Sequence, residues 1–107
     1  MRVLLIDDHA LVRKGLEELL RSRGVEIAAS VGSGDEGIKQ ALALVPDVIL
    51  LDIKMPGMNG IETLEKLRAS NVTVPILMLT MSRDDADLRA ALRGGAAGYL
   101  LKDMEPE

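Results

Sequence analysis

Five short apolar runs punctuate the chain: Val3-Leu4-Leu5-Ile6, Val25 to Val31, Val48-Ile49-Leu50-Leu51, Ile76-Leu77-Met78-Leu79 and Tyr99-Leu100-Leu101. Most are continuous rather than alternating, the pattern of strands covered on both faces. Segments of helical period separate them. Leu11, Gly15, Leu16, Leu19 and Leu20 are expected on one helix face, with Arg13, Lys14, Glu17 and Arg21 elsewhere and Gly24 as the stop. Ser33-Gly34-Asp35-Glu36 reads as a capping box opening a second helix, which runs to about Leu44 and ends before Pro46. Asn59 caps a third helix carrying Ile61, Leu64 and Leu67. Ser82 caps a fourth carrying Leu88, Ala91 and Leu92, and Gly94-Gly95 terminates it.

Strands alternating with helices predict a parallel sheet joined by right-handed crossovers, and 107 residues make one domain. The tail Asp103-Met104-Glu105-Pro106-Glu107 has the capping Asp, acidic first turn and early Pro of a helix start. The helix itself does not follow, so the last helix of a doubly wound sheet is expected to be cut short.

Composition narrows the function. Hydrophobic residues make up 48% of the chain and are almost all aliphatic, with Tyr99 the only aromatic. The net charge of −4 argues against direct nucleic-acid binding, which needs clustered Lys and Arg. Without cysteine there is no disulfide, thiolate metal site or Cys nucleophile. No apolar run approaches the ~18 residues of a membrane span. The N-terminus lacks the apolar region of a signal peptide, so a cytoplasmic location is expected.

In an open parallel sheet, ligands bind beyond the carboxyl ends of the strands. The first strand ends in Asp7-Asp8, the third in Asp52, the fourth in Thr80, and Lys102 follows the fifth. Each has a bland explanation: a helix cap, a loop starter, an ordinary strand end, a surface lysine. Together they read as one pocket of three carboxylates, a hydroxyl and an ammonium. Crowded carboxylates repel and need a compensating cation. Oxygen donors without thiolate favour Mg²⁺ or Mn²⁺ over Zn²⁺. One carboxylate can then attack phosphorus, with Lys102 and Thr80 meeting the phosphoryl oxygens. Asp52 is the better nucleophile, being on the central strand before the turn Met55-Pro56-Gly57, while Asp7 and Asp8 are better placed for the cation. His9, the only histidine, reads as a surface residue at a helix start rather than a metal ligand or phosphohistidine. The Met55-Pro56-Gly57-Met58 turn reads as a loop that positions backbone, not as a methionine metal box.

These segments resemble the response-regulator receiver family. The likeness rests on Leu5-Ile6-Asp7-Asp8-His9, Asp47 through Gly60 with Asp52 inside it, Leu79-Thr80, and Gly94-Gly95-Ala96-Ala97-Gly98-Tyr99-Leu100-Leu101-Lys102. It covers nearly the whole chain, so residues 1–107 are expected to be one receiver domain without its C-terminal helix or any output domain. The detail is most like the NarL/LuxR-type branch, whose receivers often carry Asp-Asp-His early and Gly-Tyr-Leu-Leu-Lys-Asp late. The resemblance implies a flavodoxin-like, doubly wound α/β fold with sheet order 2-1-3-4-5.

It also implies that Asp52 is the phosphoacceptor and that Lys102 and Thr80 bind the phosphoryl group. Asp8 and Asp52 would ligate Mg²⁺ directly, Asp7 through water, and Lys54 through its backbone carbonyl. Thr80 and Tyr99 would form the switch pair, although Tyr99 also reads as plain packing with its hydroxyl at the surface. Implied partners are a sensor histidine kinase, an attached or associated helix-turn-helix output domain that regulates transcription, and a second receiver in a homodimer. The chain would be a signalling phosphoacceptor, not an enzyme beyond its own phosphorylation and dephosphorylation.

Three other classes fit the residues less well. A haloacid-dehalogenase-like phosphatase also uses an Asp nucleophile with Mg²⁺, but places Asp-x-Asp after its first strand. An unphosphorylated pseudo-receiver would not need Asp8, Asp52, Thr80 and Lys102 together. A nucleotide-binding domain would need a glycine-rich phosphate loop, and none occurs.

Three features depart from many receivers. Asp103 stands where a proline often follows the lysine, Met81 follows Thr80 in place of a small residue, and Lys54 puts a cation at the pocket rim. Replacing Lys54 or Met81 with a small residue is expected to change the lifetime of the phosphorylated state. Timing phosphate loss checks this, and unchanged rates refute it.

Overall fold

Each apolar run becomes a strand in the computed structural model, which describes residues 1–80 and 85–101. In chain order the elements are β1 (Arg2–Ile6), α1 (Ala10–Ser22), β2 (Glu26–Val31), α2 (Gly34–Leu44), β3 (Val48–Asp52), α3 (Gly60–Ala69), β4 (Ile76–Thr80), α4 (Asp85–Arg93) and β5 (Gly98–Leu101). The strands form one sheet in the order β2-β1-β3-β4-β5, and every pairing is parallel. This is the flavodoxin-like order the motifs imply. β3 lies at the centre.

Successive residues of a strand face opposite sides of the sheet, so the continuous runs feed two cores. One side collects Leu4, Ile6, Ile49, Leu51, Ile76 and Met78 against Ala41 of α2, Leu64 and Leu67 of α3, and Ala91 of α4. The other collects Val3, Leu5, Leu50 and Leu79 against Leu16 and Leu20 of α1. Burying one such Leu or Ile side chain stabilises the fold by roughly 1.5–3 kcal/mol. Met55, at the start of the turn after β3, is buried in the first core.

Two local expectations are revised. No residue of α1 is fully buried, and Leu11 and Leu19 are 87% and 51% exposed. At 3.6 residues per turn Leu11 lies about 140° around the helix from Leu16. The five positions therefore span too wide an arc, and only Leu16 and Leu20 reach the core. The capping box also moves. The Ser33 hydroxyl accepts from the Glu36 amide at 3.3 Å. The two-way arrangement forms instead at Asn59, which accepts from the Glu62 amide at 2.9 Å while Glu62 accepts from the Asn59 amide at 3.2 Å.

The expected stops hold: Gly24 and Gly95 take φ of +80° and +101°, a region open to a residue without Cβ. Ser82, the expected cap of the fourth helix, lies outside the described residues. Below the sheet, one side chain braces two connections. Arg68 donates to the carbonyls of Val72 at 2.7 Å, Val74 at 2.9 Å and Gly95 at 2.7 Å. It thereby ties the loop after α3 to the loop after α4.

Val45, the C-terminal cap of α2, has φ 47° and ψ 67° and is 70% exposed. A β-branched residue is strained in this left-handed region. Val45→Gly is expected to stabilise the protein by about 0.5–1 kcal/mol, since relief of strain exceeds the added freedom of the unfolded chain. Urea unfolding measures this; a lower midpoint for the variant would contradict it.

Candidate functional site

Strand register brings the polar strand ends together. Ile6 pairs with Leu51, so Asp7 and Asp52 stand side by side one step further along. Asp52 pairs with Leu79, so Thr80 ends the neighbouring strand one residue beyond it. Asp7, Asp52 and Thr80 are 0%, 3% and 2% exposed. The Asp8 side chain is 23% exposed and closes the rim. One ligand atom from each of Asp7, Asp8, His9 and Asp52 lies within 4.8 Å of all the others.

Backbone groups hold these side chains. The Asp7 amide donates to the Val31 carbonyl at 3.0 Å, extending the β1–β2 ladder past the strand. The His9 amide donates to Asp7 Oδ1 at 2.8 Å, and the Lys54 amide donates to Asp52 Oδ1 at 3.3 Å. Both are local side-chain-to-backbone turns of the kind Asp favours. Arg13 donates from Nη1 to the Asp7 carbonyl at 2.6 Å, anchoring α1 to the end of β1.

His9 is the N-cap of α1 and makes no side-chain cap bond. Its ring turns to the carboxylates instead: Nδ1 lies 3.2 Å from Asp7 Oδ1, 3.2 Å from Asp8 Oδ1 and 3.7 Å from Asp52 Oδ2.

The donor chemistry fits a divalent cation. Gathering three carboxylates at one rim, two of them buried, is costly unless a positive charge compensates. Carboxylate oxygens with one imidazole and no thiolate suit a hard or borderline ion.

A sequence model of the response regulator receiver domain matches residues 3–107. The chain belongs to the response regulator receiver family. This receiver is 46% identical over 106 residues to the nitrate/nitrite response regulator protein NarL of Escherichia coli K12, covering 98% of the chain and 49% of the relative. It is 48% identical over 108 residues to the nitrate/nitrite response regulator protein homolog of Haemophilus influenzae, covering all of the chain and 52% of the relative.

Among solved structures, the signal receiver domain of a NarL-type regulator from Mycobacterium tuberculosis superposes with a TM-score of 0.91 at 35% identity. That match covers 97% of this chain and 85% of the other. A LuxR-family response regulator from Aurantimonas sp. gives 0.91 at 32% identity, covering 98% and 76%. The receiver spans about half the length of the curated relatives it matches. Among the described residues no helix is long and apolar enough to cross a membrane.

Of the residues singled out in the sequence, Asp7, Asp8 and Asp52 meet in one cluster, and Thr80 is buried at the adjoining strand end. The side chain of Lys54 is exposed and only its backbone turns toward Asp52. Tyr99, paired with Met78 on β5, is 46% exposed. Lys102 and Met81 lie outside the described residues.

His9 sits exposed at a helix start as expected, but its contact with the carboxylates was not foreseen. Two supporting residues were also missed. Arg13 looked like an outward charge on α1. Gly60 stood inside the matching motif without a reason of its own. Its amide donates to the Ile53 carbonyl at 2.8 Å. A Cβ there would collide with the Asp52 carbonyl oxygen and come within 2.7 Å of the Ile53 Cα. The start of α3 is thus pressed against the residue that ends β3.

Gly60→Ala is expected to cost about 2–3 kcal/mol of stability, because the obstacle is backbone and cannot swing aside. Equilibrium urea unfolding reads the loss, and a variant as stable as the parent would show that this close approach is dispensable.

Proposed function

We propose that this receiver is a phosphorylation switch in which Asp52 accepts a phosphoryl group from a sensor histidine kinase. The observation that carries the reading is the buried Asp52 at the end of the central strand, clustered within 4.8 Å with Asp7 and Asp8. An Asp52 carboxylate oxygen forms a bond to phosphorus as the bond between phosphorus and the donor's leaving group breaks. The leaving group departs with the bonding pair, and the product is an acyl phosphate. Attack by water returns the carboxylate and inorganic phosphate, so the chain acts only on itself.

Asp8 and Asp52 would hold Mg²⁺ directly, Asp7 through water, and the Lys54 carbonyl would complete the protein donors. When bound, the ion supplies positive charge to the carboxylates and the phosphoryl oxygens. Thr80 donates its hydroxyl to a phosphoryl oxygen and Lys102 pairs with another, which spreads the charge of the transferring group. Lys54 and Asp52 are joined by a backbone turn that keeps the attacking carboxylate oriented.

Phosphorylation adds charge and acceptor oxygens beside Thr80. As Thr80 is drawn in, Tyr99 changes rotamer and the face of α4 and β5 shifts between two populations. In the longer protein this face controls a DNA-binding, transcription-regulating output domain, and it also serves a receiver homodimer. The receiver itself does not contact nucleic acid, and it works in the cytoplasm where its kinase partner acts. The length of the relatives, about twice that of this chain, supports an attached output domain.

Incubation with Mg²⁺ and acetyl phosphate, followed by intact mass, tests the chemistry. The expected result is a gain of one phosphoryl group that disappears in Asp52→Ala. No gain in the parent chain, or a gain that persists in the variant, overturns the reading.

A further inference from the structure

We infer that His9 supplies a nitrogen donor to the acidic cluster, making it a carboxylate–imidazole site that takes Co²⁺, Ni²⁺ or Zn²⁺ in addition to Mg²⁺. The inference rests on the reading of this cluster as a divalent-cation site and names one more of its ligands.

Three observations converge on His9. Its Nδ1 stands 3.2 Å from one oxygen of Asp7, 3.2 Å from one oxygen of Asp8 and 3.7 Å from one oxygen of Asp52. Donors bound to one ion at about 2.1 Å sit roughly 3–3.5 Å from their neighbours in octahedral or tetrahedral arrangements. The imidazole therefore already stands at ligand spacing from Asp7 and Asp8, with Asp52 slightly further off at 3.7 Å.

The second observation is that, among the described residues, the hydrogen bond of the ring runs to Asp7 Oδ1 of the same cluster and not to the helix. As N-cap of α1, His9 holds an extended backbone with φ −87° and ψ 101° and bonds no helix amide with its side chain. The third is that the turn is built to hold it there. The His9 amide is fixed on Asp7 Oδ1 at 2.8 Å, so ring and carboxylate are oriented by the same short segment.

A nitrogen donor changes which ions the site prefers. Mg²⁺ prefers oxygen and gains little from imidazole, whereas affinity for Co²⁺, Ni²⁺ and Zn²⁺ rises with each imidazole. His9 should then act on selectivity, leaving Mg²⁺ binding nearly untouched.

The test uses the intact chain with Co²⁺ or Mg²⁺ alone, at one pH. Because His9 is the only histidine, bound Co²⁺ should shift one exchangeable imidazole N–H proton far outside the ordinary proton NMR range. That resonance should vanish in His9→Gln. Calorimetry should show Co²⁺ binding weakened about tenfold in His9→Gln and Mg²⁺ binding changed less than twofold. The ring is 58% exposed and caps nothing, so the substitution spares the fold.

Bound Co²⁺ without the shifted resonance overturns the inference, as does equal weakening of both ions. In either case Mg²⁺-dependent phosphorylation of Asp52 leaves the switch reading standing. A parent chain that binds neither ion brings down both.

Discussion

Asp7 and Asp52 are almost completely removed from water, and each directly follows a run of four aliphatic residues, Val3–Ile6 in β1 and Val48–Leu51 in β3. Two carboxylates do not settle side by side in such a place for stability. Coulomb repulsion at short range and loss of hydration both oppose it. The fold bears that opposition by spending its most ordered parts on it. The register of β1 against β3 sets the two aspartates abreast, local turns offer them backbone N–H groups, and the bulk of two hydrophobic cores anchors the strands that carry them. The proposed cation and phosphoryl group would act on a balance that is already tense.

The start of α3 shows how closely the surrounding structure serves that position. Asn59 and Glu62 cap the helix in both directions, Thr63 donates its hydroxyl to the Asn59 carbonyl at 2.8 Å, and Gly60 lets the first turn press against the Asp52 backbone. Arg13 secures the Asp7 side in the same way through a single carbonyl. Gly60 and Arg13 both meet backbone atoms. Both fix the backbone from which the carboxylates project, and placement within a fraction of an ångström is what the proposed chemistry would require.

Much of this was legible in the residues. The strands announced themselves as continuous aliphatic runs because both faces of the sheet are covered, and the order of strands followed from the matching motifs. Asp7, Asp8, Asp52 and Thr80 could be placed because a strand end is a position along the chain. What stayed hidden depends on distance through space. The α1 stripe was drawn too wide, since Leu11 is apolar yet points away from the sheet. Ser33 and Asn59 carry the same capping signal, and only the backbone geometry decides which receives the reciprocal bond. The reach of the His9 ring depends on the backbone angles of a cap, and the need for Gly60 on a neighbouring carbonyl. Neither leaves a mark on local pattern.

Tyr99 is the only aromatic side chain of the protein, and it stands half exposed on β5 beside Met78. Near-ultraviolet dichroism and intrinsic fluorescence therefore have a single chromophore. A change in either signal reports on the environment of one strand at the sheet's edge, with no tryptophan elsewhere to dilute it. The aliphatic economy of the core thus leaves the molecule optically quiet except at the residue proposed for the switch.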